Sequence, residues 1–387
     1  MTFRCRTIFR LLFLATGAAV AILTVASAYG GVVNPAVTTI PAILAMTFPA
    51  WLTISVLLLI ISLFTIKKAA ILQAVAIAAS TPAIAGIMPL NICPDQQADT
   101  NSGDTFSFMT YNVFQLTDWT RQDIPYDRQQ WEDENARGFV NPTMTTILRI
   151  APDIACLQEL PSSLVNKWIH LTTLQADSLK TILPNSVDVE GEAVYSRFPL
   201  RPIVLRQPES RYCRFGAAVA DIHGQKVLLV SVHFESIGLN NDDKALFHEL
   251  TEGEATSRSD LGRVRRQLIS KLSQAFRNRA IQAQLLRSQI DSLNIENVII
   301  AGDFNDIPGC YALRLLCRDD FHTVFSKAGR VTRHTYHANR FYFHIDHILY
   351  RGNLRPLSYT RLTPPHSDHY PILTNFLITP PAPTGNE

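Results

Sequence analysis

The chain has 387 residues, 35 lysines and arginines against 33 aspartates and glutamates, and a net charge of +2. That length admits one or two domains, and the near balance of charge does not mark a nucleic-acid binder. Apolar residues make up 47% of the chain but are unevenly spread: the first 92 are nearly all apolar, and the remainder is mixed. The six cysteines (Cys5, Cys93, Cys156, Cys213, Cys310 and Cys317) form no CxxC and no zinc-type cluster. Only Cys310 and Cys317 are close enough in sequence to suggest a disulfide; buried or free thiols are the simpler reading for all six.

Three apolar runs, about 8–29, 40–66 and 69–92, each have roughly the ~20 residues of a membrane-spanning helix. Arg4, Arg6 and Arg10 before the first run also fit a signal peptide, with Ala26-Ser27-Ala28 as a cleavage site. Two further runs make an uncleaved three-span anchor (residues 1–93) the better expectation. The positive charges orient it. The three arginines hold the N-terminus inside, and Lys67-Lys68 mark an inside turn. Asp95, Asp99 and Asp104 follow the third run with no Lys or Arg until Arg121. The polar part is therefore expected outside the cytoplasm. The spans hold no internal ionisable residue, and their lack of polar residues speaks against a transporter.

Residues 94–104 are a polar linker. Beyond it, 105–379 alternate between apolar strands and helical stretches, and 380–387 form a disordered tail. Strands are expected over 106–113, 153–157, 192–196, 201–205, 217–222, 226–232, 298–301, 343–349 and 372–377. Helices are expected over 144–150, 162–183, 261–290 and 310–317. Residues 115–140 and 238–260 look irregular. The long helix has an apolar face and a basic one, the latter read as a solvated face.

Polar residues recur where these strands end, which in α/β folds is where sites are built. Val298–Ala301 is a buried strand closed by Gly302, and Asp303 and Asn305 follow it two apart. Taken alone, this could be an ordinary turn. Six strand ends, however, deliver Asn112, Glu159, His233, Asp303 with Asn305, Asp346, and Asp368 with His369. Buried charges need partners or a metal, and this set offers oxygen and imidazole without thiolate. That composition favours Mg²⁺, with Mn²⁺ as substitute, over zinc. Bland readings exist for single members: a turn residue for Asn112, a cap for Asp368, a core histidine for His233, a structural ion pair for Asp346.

The motifs Tyr111-Asn112-Val113, Gln158-Glu159, Tyr195-Ser196-Arg197-Phe198-Pro199-Leu200, Ser231-Val232-His233-Phe234, Gly302-Asp303-Phe304-Asn305-Asp306, Ile345-Asp346-His347-Ile348 and Ser367-Asp368-His369-Tyr370-Pro371 stand in that order. The chain over about 104–378 thereby resembles the endonuclease/exonuclease/phosphatase superfamily, in its membrane-anchored bacterial form. The resemblance implies an α/β fold, a four-layer sandwich of two packed mixed sheets flanked by helices, here preceded by three transmembrane helices. It implies Glu159, Asn112 and Asp368 around a divalent metal. Asp303 would align or deprotonate water, with Asn305 holding that water or a phosphate oxygen. His233 and His369 would sit on the scissile phosphate, and Asp346 would orient His369. His344 stands where the family commonly has arginine.

The function so implied is a membrane-tethered phosphoesterase of the cytoplasmic membrane, acting on its outer or periplasmic side. Its substrate would be nucleic acid, a lipid head group or a small phosphate ester. The lipid bilayer would be engaged through residues 8–92, and no protein partner is inferred. The alternative is a catalytically inactive binding or scaffold domain of the same fold.

Overall fold

A computed structural model describes residues 3–89, 91, 104–121, 129–130, 133–134, 138–162, 171–238, 258–330, 333–338 and 342–379. The linker over 94–103, residues 122–128, 131–132 and 135–137 of the stretch 115–140, residues 239–257, and the tail over 380–387 lie outside the described residues. The chain forms two compact units. One comprises Met1–Pro89, Ile237–Gln284 and Ile307–Leu316; the other comprises Leu90–Ser236, Leu285–Asp306 and Cys317–Glu387.

The first unit carries the apolar helices. Two are long and apolar enough to cross a membrane, Thr7–Val32 and Phe48–Thr65. The single span expected over 40–66 is instead two helices, Ile40–Met46 and Phe48–Thr65, with a break at Thr47. Pro49 lies in the first turn of the second helix. Its ring excludes the N–H and crowds the carbonyl that a continuous helix would need there. The third span expected over 69–92 is a pair, Lys67–Ala79 and Thr81–Ile87, bent by 58° where Pro82 opens the second piece.

The spans are also less apolar inside than expected. Gln73 is fully buried, donating to the Gly17 carbonyl at 2.7 Å and accepting from Ser55 Oγ at 2.6 Å. Three helices are thus tied by one neutral amide.

The second unit is an α/β sandwich of two mixed sheets. Its strands are β1 (Asp104–Asn112), β2 (Ile154–Gln158), β3 (Asn185–Val189), β4 (Glu192–Ser196), β5 (Leu200–Pro202), β6 (Arg214–Ile222), β7 (Gln225–His233), β8 (Asn297–Asp303), β9 (His322–Thr323), β10 (Asp346–Arg351), β11 (Leu354–Pro356), β12 (Thr360–Arg361) and β13 (Ile372–Ile378). One sheet runs β11-β13-β1-β2-β4-β3 with β12 beside β13, and the other runs β5-β6-β7-β8-β10-β9. Each is antiparallel except for one central parallel pair, β1 with β2 and β7 with β8.

The core between the sheets is built from alternate residues of these strands. Phe106, Phe108, Ile154 and Cys156 from one sheet meet Val227, Leu229, Ile299 and Ala301 from the other. The opposite face of the first sheet (Met109, Tyr111, Ala155, Leu157) is covered by the helices Pro142–Ile150 and Thr173–Ile182. Asn141 caps the first of these, its side chain accepting from Met144 N–H at 2.8 Å ahead of Pro142. The helix expected over 162–183 is shorter, Thr173–Ile182, opened by Thr172, whose Oγ1 accepts from Gln175 N–H at 3.1 Å; 163–170 lie outside the described residues. The long helix runs Arg258–Ser292, ending in this unit with Leu286 and Ile290 buried.

Gly302 does not end β8 but lies inside it, with φ 149°. A Cβ there would stand 1.9 Å from the Val232 carbonyl oxygen, so β7 and β8 meet this closely only because residue 302 has no side chain. Cys310 and Cys317 are free thiols.

Candidate active site and metal centre

Strand direction explains where the polar residues gather. β1 and β2 run parallel, and so do β7 and β8, so each sheet presents two C-terminal strand ends side by side: Asn112 with Glu159, and His233 with Asp303. β10 runs the other way, and its first residue, Asp346, pairs directly with Asp303. β13 is antiparallel to β1, so Asp368 and His369, just before its start, reach the same edge.

The side chains converge there. Asn112 is fully buried and donates Nδ2 to Glu159 Oε1 at 3.1 Å and to Asp303 Oδ2 at 3.2 Å. Its Oδ1 accepts from Phe114 N–H at 3.1 Å. One amide therefore holds the carboxylates of both sheets together. Glu159 has φ 54°, a left-handed conformation that costs a glutamate ~1–3 kcal/mol. It is fixed by backbone bonds from Gln115 N–H to its own carbonyl and from Leu160 N–H to Gly191.

Asp303 is almost wholly enclosed. His369 Nε2 lies 3.5 Å from Asp303 Oδ2, and His369 Nδ1 lies 2.8 Å from Asp346 Oδ2. His233 Nε2 stands 3.7 Å from the same Asp303 oxygen and 3.8 Å from Glu159 Oε1. Asn305, also left-handed at φ 50°, donates N–H to Asp303 Oδ1 at 2.8 Å and Nδ2 to the Phe234 carbonyl at 2.9 Å.

The electrostatics follow from enclosing so many acids. Burial raises Asp303 above the ordinary aspartate value, partly offset by His369 and His233. Burial likewise lifts Asp368 to about 6. For His369, burial alone would disfavour the imidazolium, but Asp346, Asp303 and Asp368 outweigh it and hold its pKa well above 6.5.

The donor set suits a hard divalent cation. Asp303, Asp346 and His369 offer ligand atoms all within 4.8 Å of one another. Asp368 Oδ1 is buried without a hydrogen-bond partner among the described residues. A carboxylate oxygen left this way among other acids is what a cation would satisfy.

Further side chains take their place at the site only from the fold. Glu192 at the start of β4 is 2% exposed, and burial with the nearby Glu159 pushes it well above the usual carboxylate range. Gln158 Nε2 donates to Ser231 Oγ at 2.9 Å, joining the two sheets beneath the site. Ser367 Oγ donates to the Asn112 carbonyl at 2.7 Å and accepts from His369 N–H at 3.2 Å. Thr335 Oγ1 accepts from the N–H groups of Ile345 and Asp346. His344 is a packing group, stacked on His347 and set against Phe325.

Comparison with known proteins follows this geometry. The sequence profile of the Endonuclease/Exonuclease/phosphatase family matches residues 109–369, and that of a domain of unknown function matches residues 9–86. No curated protein matches the chain. Among solved structures, D. rerio TDP2 humanized by 14 mutations is similar at 17% identity, covering 70% of this chain and 98% of that one, with a TM-score of 0.44. An endonuclease/exonuclease/phosphatase from Beutenbergia cavernae is 14% identical over 71% of this chain and 72% of its own, with a TM-score of 0.46. The human Nocturnin catalytic domain with bound sulfate is 16% identical over 71% and 95%, with a TM-score of 0.45.

Proposed function

The chain belongs to the Endonuclease/Exonuclease/phosphatase family, and from that premise we propose that it hydrolyses phosphoester bonds with a divalent cation, Mg²⁺ first. The observation that carries this reading is the convergence on Asp303 of two imidazoles, two further carboxylates and one amide. Asp303 orients the attacking water and takes its proton, a role suited to a carboxylate whose burial raises its basicity. His369 and His233 donate to the phosphoryl oxygens, and Asp346 holds His369 by its Nδ1. Asn305 holds the water or a phosphate oxygen. Glu159 and Asp368 are the ligands we assign to the cation, which when bound neutralises charge on the phosphoryl group. Asn112 keeps its place in the set, although its nitrogen faces the carboxylates here; its oxygen would reach a cation only after an amide flip.

Tethering through the apolar helices brings the activity to a membrane. With the bent pair Lys67–Ala79 and Thr81–Ile87 counted as one span, three crossings and an inside N-terminus support the reading of a site outside the cytoplasm. Nucleic acid, a lipid head group or a small phosphate ester are the candidate substrates.

The test is hydrolysis of bis(p-nitrophenyl) phosphate by the full chain in detergent. Activity should require Mg²⁺, vanish with EDTA, and fall on the order of 100-fold or more in Glu159→Gln. Activity indifferent to EDTA, or a fully active Glu159→Gln, defeats the reading and leaves an inert scaffold. Sidedness is tested separately: external protease should remove the domain from intact spheroplasts. Protection there would mean two crossings.

A further inference from the structure

The basic face of the long helix Arg258–Ser292 takes no part in the chemistry above. Between Leu261 and Gln284, a stretch that belongs to the helical unit, it carries Arg263, Arg265, Arg266, Lys271, Arg277 and Arg279 and no acidic residue. Arg279 is buried, and Lys271 Nζ donates to the Gly238 carbonyl at 3.3 Å. Arg266 and Arg277 are exposed. Neither has an acid within four positions along the helix, so no neighbouring turn neutralises them.

An exposed basic stretch is ordinarily a solvated face, but this one is fastened in a particular place. Arg266, Ser273 and Arg277 fall on one stripe, because separations of seven and eleven positions are close to two and three full turns. The stripe is held at its middle, where Thr39 Oγ1 donates to Ser273 Oγ at 3.0 Å. Thr39 lies in the connection between Thr7–Val32 and Phe48–Thr65, the two helices long and apolar enough to cross a membrane. A connection between successive crossings lies at a membrane surface, and the helix face that meets Thr39 runs along that surface with it. Val37 and Ile40 near Thr39 are exposed, and so are Ile269 and Ile281 on the two flanks of the stripe.

We propose that the stretch 266–281 is a membrane-surface element: Arg266 and Arg277 bind the phosphates of anionic lipid head groups, and Ile269 and Ile281 dip among them. This rests on the tethered reading above and is independent of the hydrolytic one. Charge and shape agree on the occupant. Basic residues close to an anionic bilayer are attracted to it, and isoleucines beside them gain by leaving water for the head-group boundary. A solvated helix needs neither the exposed isoleucines nor the bond to the connection between spans.

The experiment reconstitutes the full chain in vesicles of equimolar DOPC and DOPG, releases it in mild detergent, and identifies the lipids that stay bound by native mass spectrometry. The parent should retain DOPG over DOPC. Arg266→Gln combined with Arg277→Gln should lower that ratio on the order of 10-fold, from roughly fivefold per arginine at most. Arg266→Lys combined with Arg277→Lys keeps the charge and should keep the ratio. Arg201→Gln, the same loss of charge on β5 of the sandwich, should leave it unchanged. A ratio that the glutamine pair does not lower, or that Arg201→Gln lowers as far, overturns the proposal. So does a glutamine pair that loses oligonucleotide binding while its lipids stay bound, which would make this a nucleic-acid face. A parent chain that leaves the vesicles on alkaline washing overturns the proposal together with the anchor. Because bound lipid is the readout, a chain that hydrolyses nothing loses the enzyme reading alone.

Discussion

Over residues 3–89 of the helical unit the buried polar side chains are neutral. Gln73 joins Ser55 to the Gly17 carbonyl, Thr24 Oγ1 donates to the Val20 carbonyl, and Ser80 Oγ to that of Ala76. In the sandwich unit buried ionisable groups are bunched among neutral ones such as Asn112, Gln158 and Ser231: Asp303, Asp346, His369 and Glu192 lie at neighbouring strand ends. The first arrangement satisfies hydrogen bonds within an apolar helical packing. The second concentrates charge where burial opposes it, a state that persists only if protons or a cation share the space. The same desolvation therefore meets neutral side chains in the apolar helices and clustered acids in the sandwich.

The comparison breaks most sharply at Asp303. Asp303→Asn should reduce phosphodiester hydrolysis on the order of 10³-fold while leaving the melting temperature unchanged or higher, because it removes a base and a buried charge together. Residual activity within about tenfold of the parent would show that the bunched acids are not the reactive centre.

A smaller effect tests the proton-or-cation alternative. The folded pKa of His369 lies above its ordinary 6.5, so its contribution to stability is present below pH 6.5 and is lost as pH rises through the folded value. Asp303 and Asp368 shift in the same sense, the latter losing its proton near pH 6. His347, lowered by burial to about 4, opposes them only below pH 6.5. Metal-free protein should therefore melt at progressively lower temperature as pH rises above 6.5. Mg²⁺ at about 100 times its Kd should restore roughly 2.7 kcal/mol. A melting temperature flat with pH, or indifferent to Mg²⁺, would contradict the arrangement. The smallest effect belongs to the anchor. Gln73→Leu should cost about 0.6 kcal/mol of helix association and leave hydrolysis untouched, read by thermal unfolding in detergent beside the activity assay.

What the residues announce in sequence depends on whether local chemistry encodes them. Glu159, His233 and Asp303 stand out because each ends an apolar run, and the run itself declares a buried strand. The pairs β9, β11 and β12 are two or three residues long and have no period to detect. β3, with alternating Val187 and Val189, carries a short period-2 signal. Glu192 looked like an ordinary polar opening to a strand, since nothing nearby in sequence shows that β6 will close over it at Gly216. The breaks at Pro49 and Pro82 were marked by proline, but the hydrophobicity around them was continuous. The polarity of Gln73 was legible as a letter, and its partner at Gly17 was not.

Gly302 has a bearing on how this scaffold can change. The obstacle to a side chain there is a main-chain oxygen of the neighbouring strand, which no second substitution can trim away. Position 302 itself is therefore closed to stepwise mutation, whatever changes elsewhere in the chain.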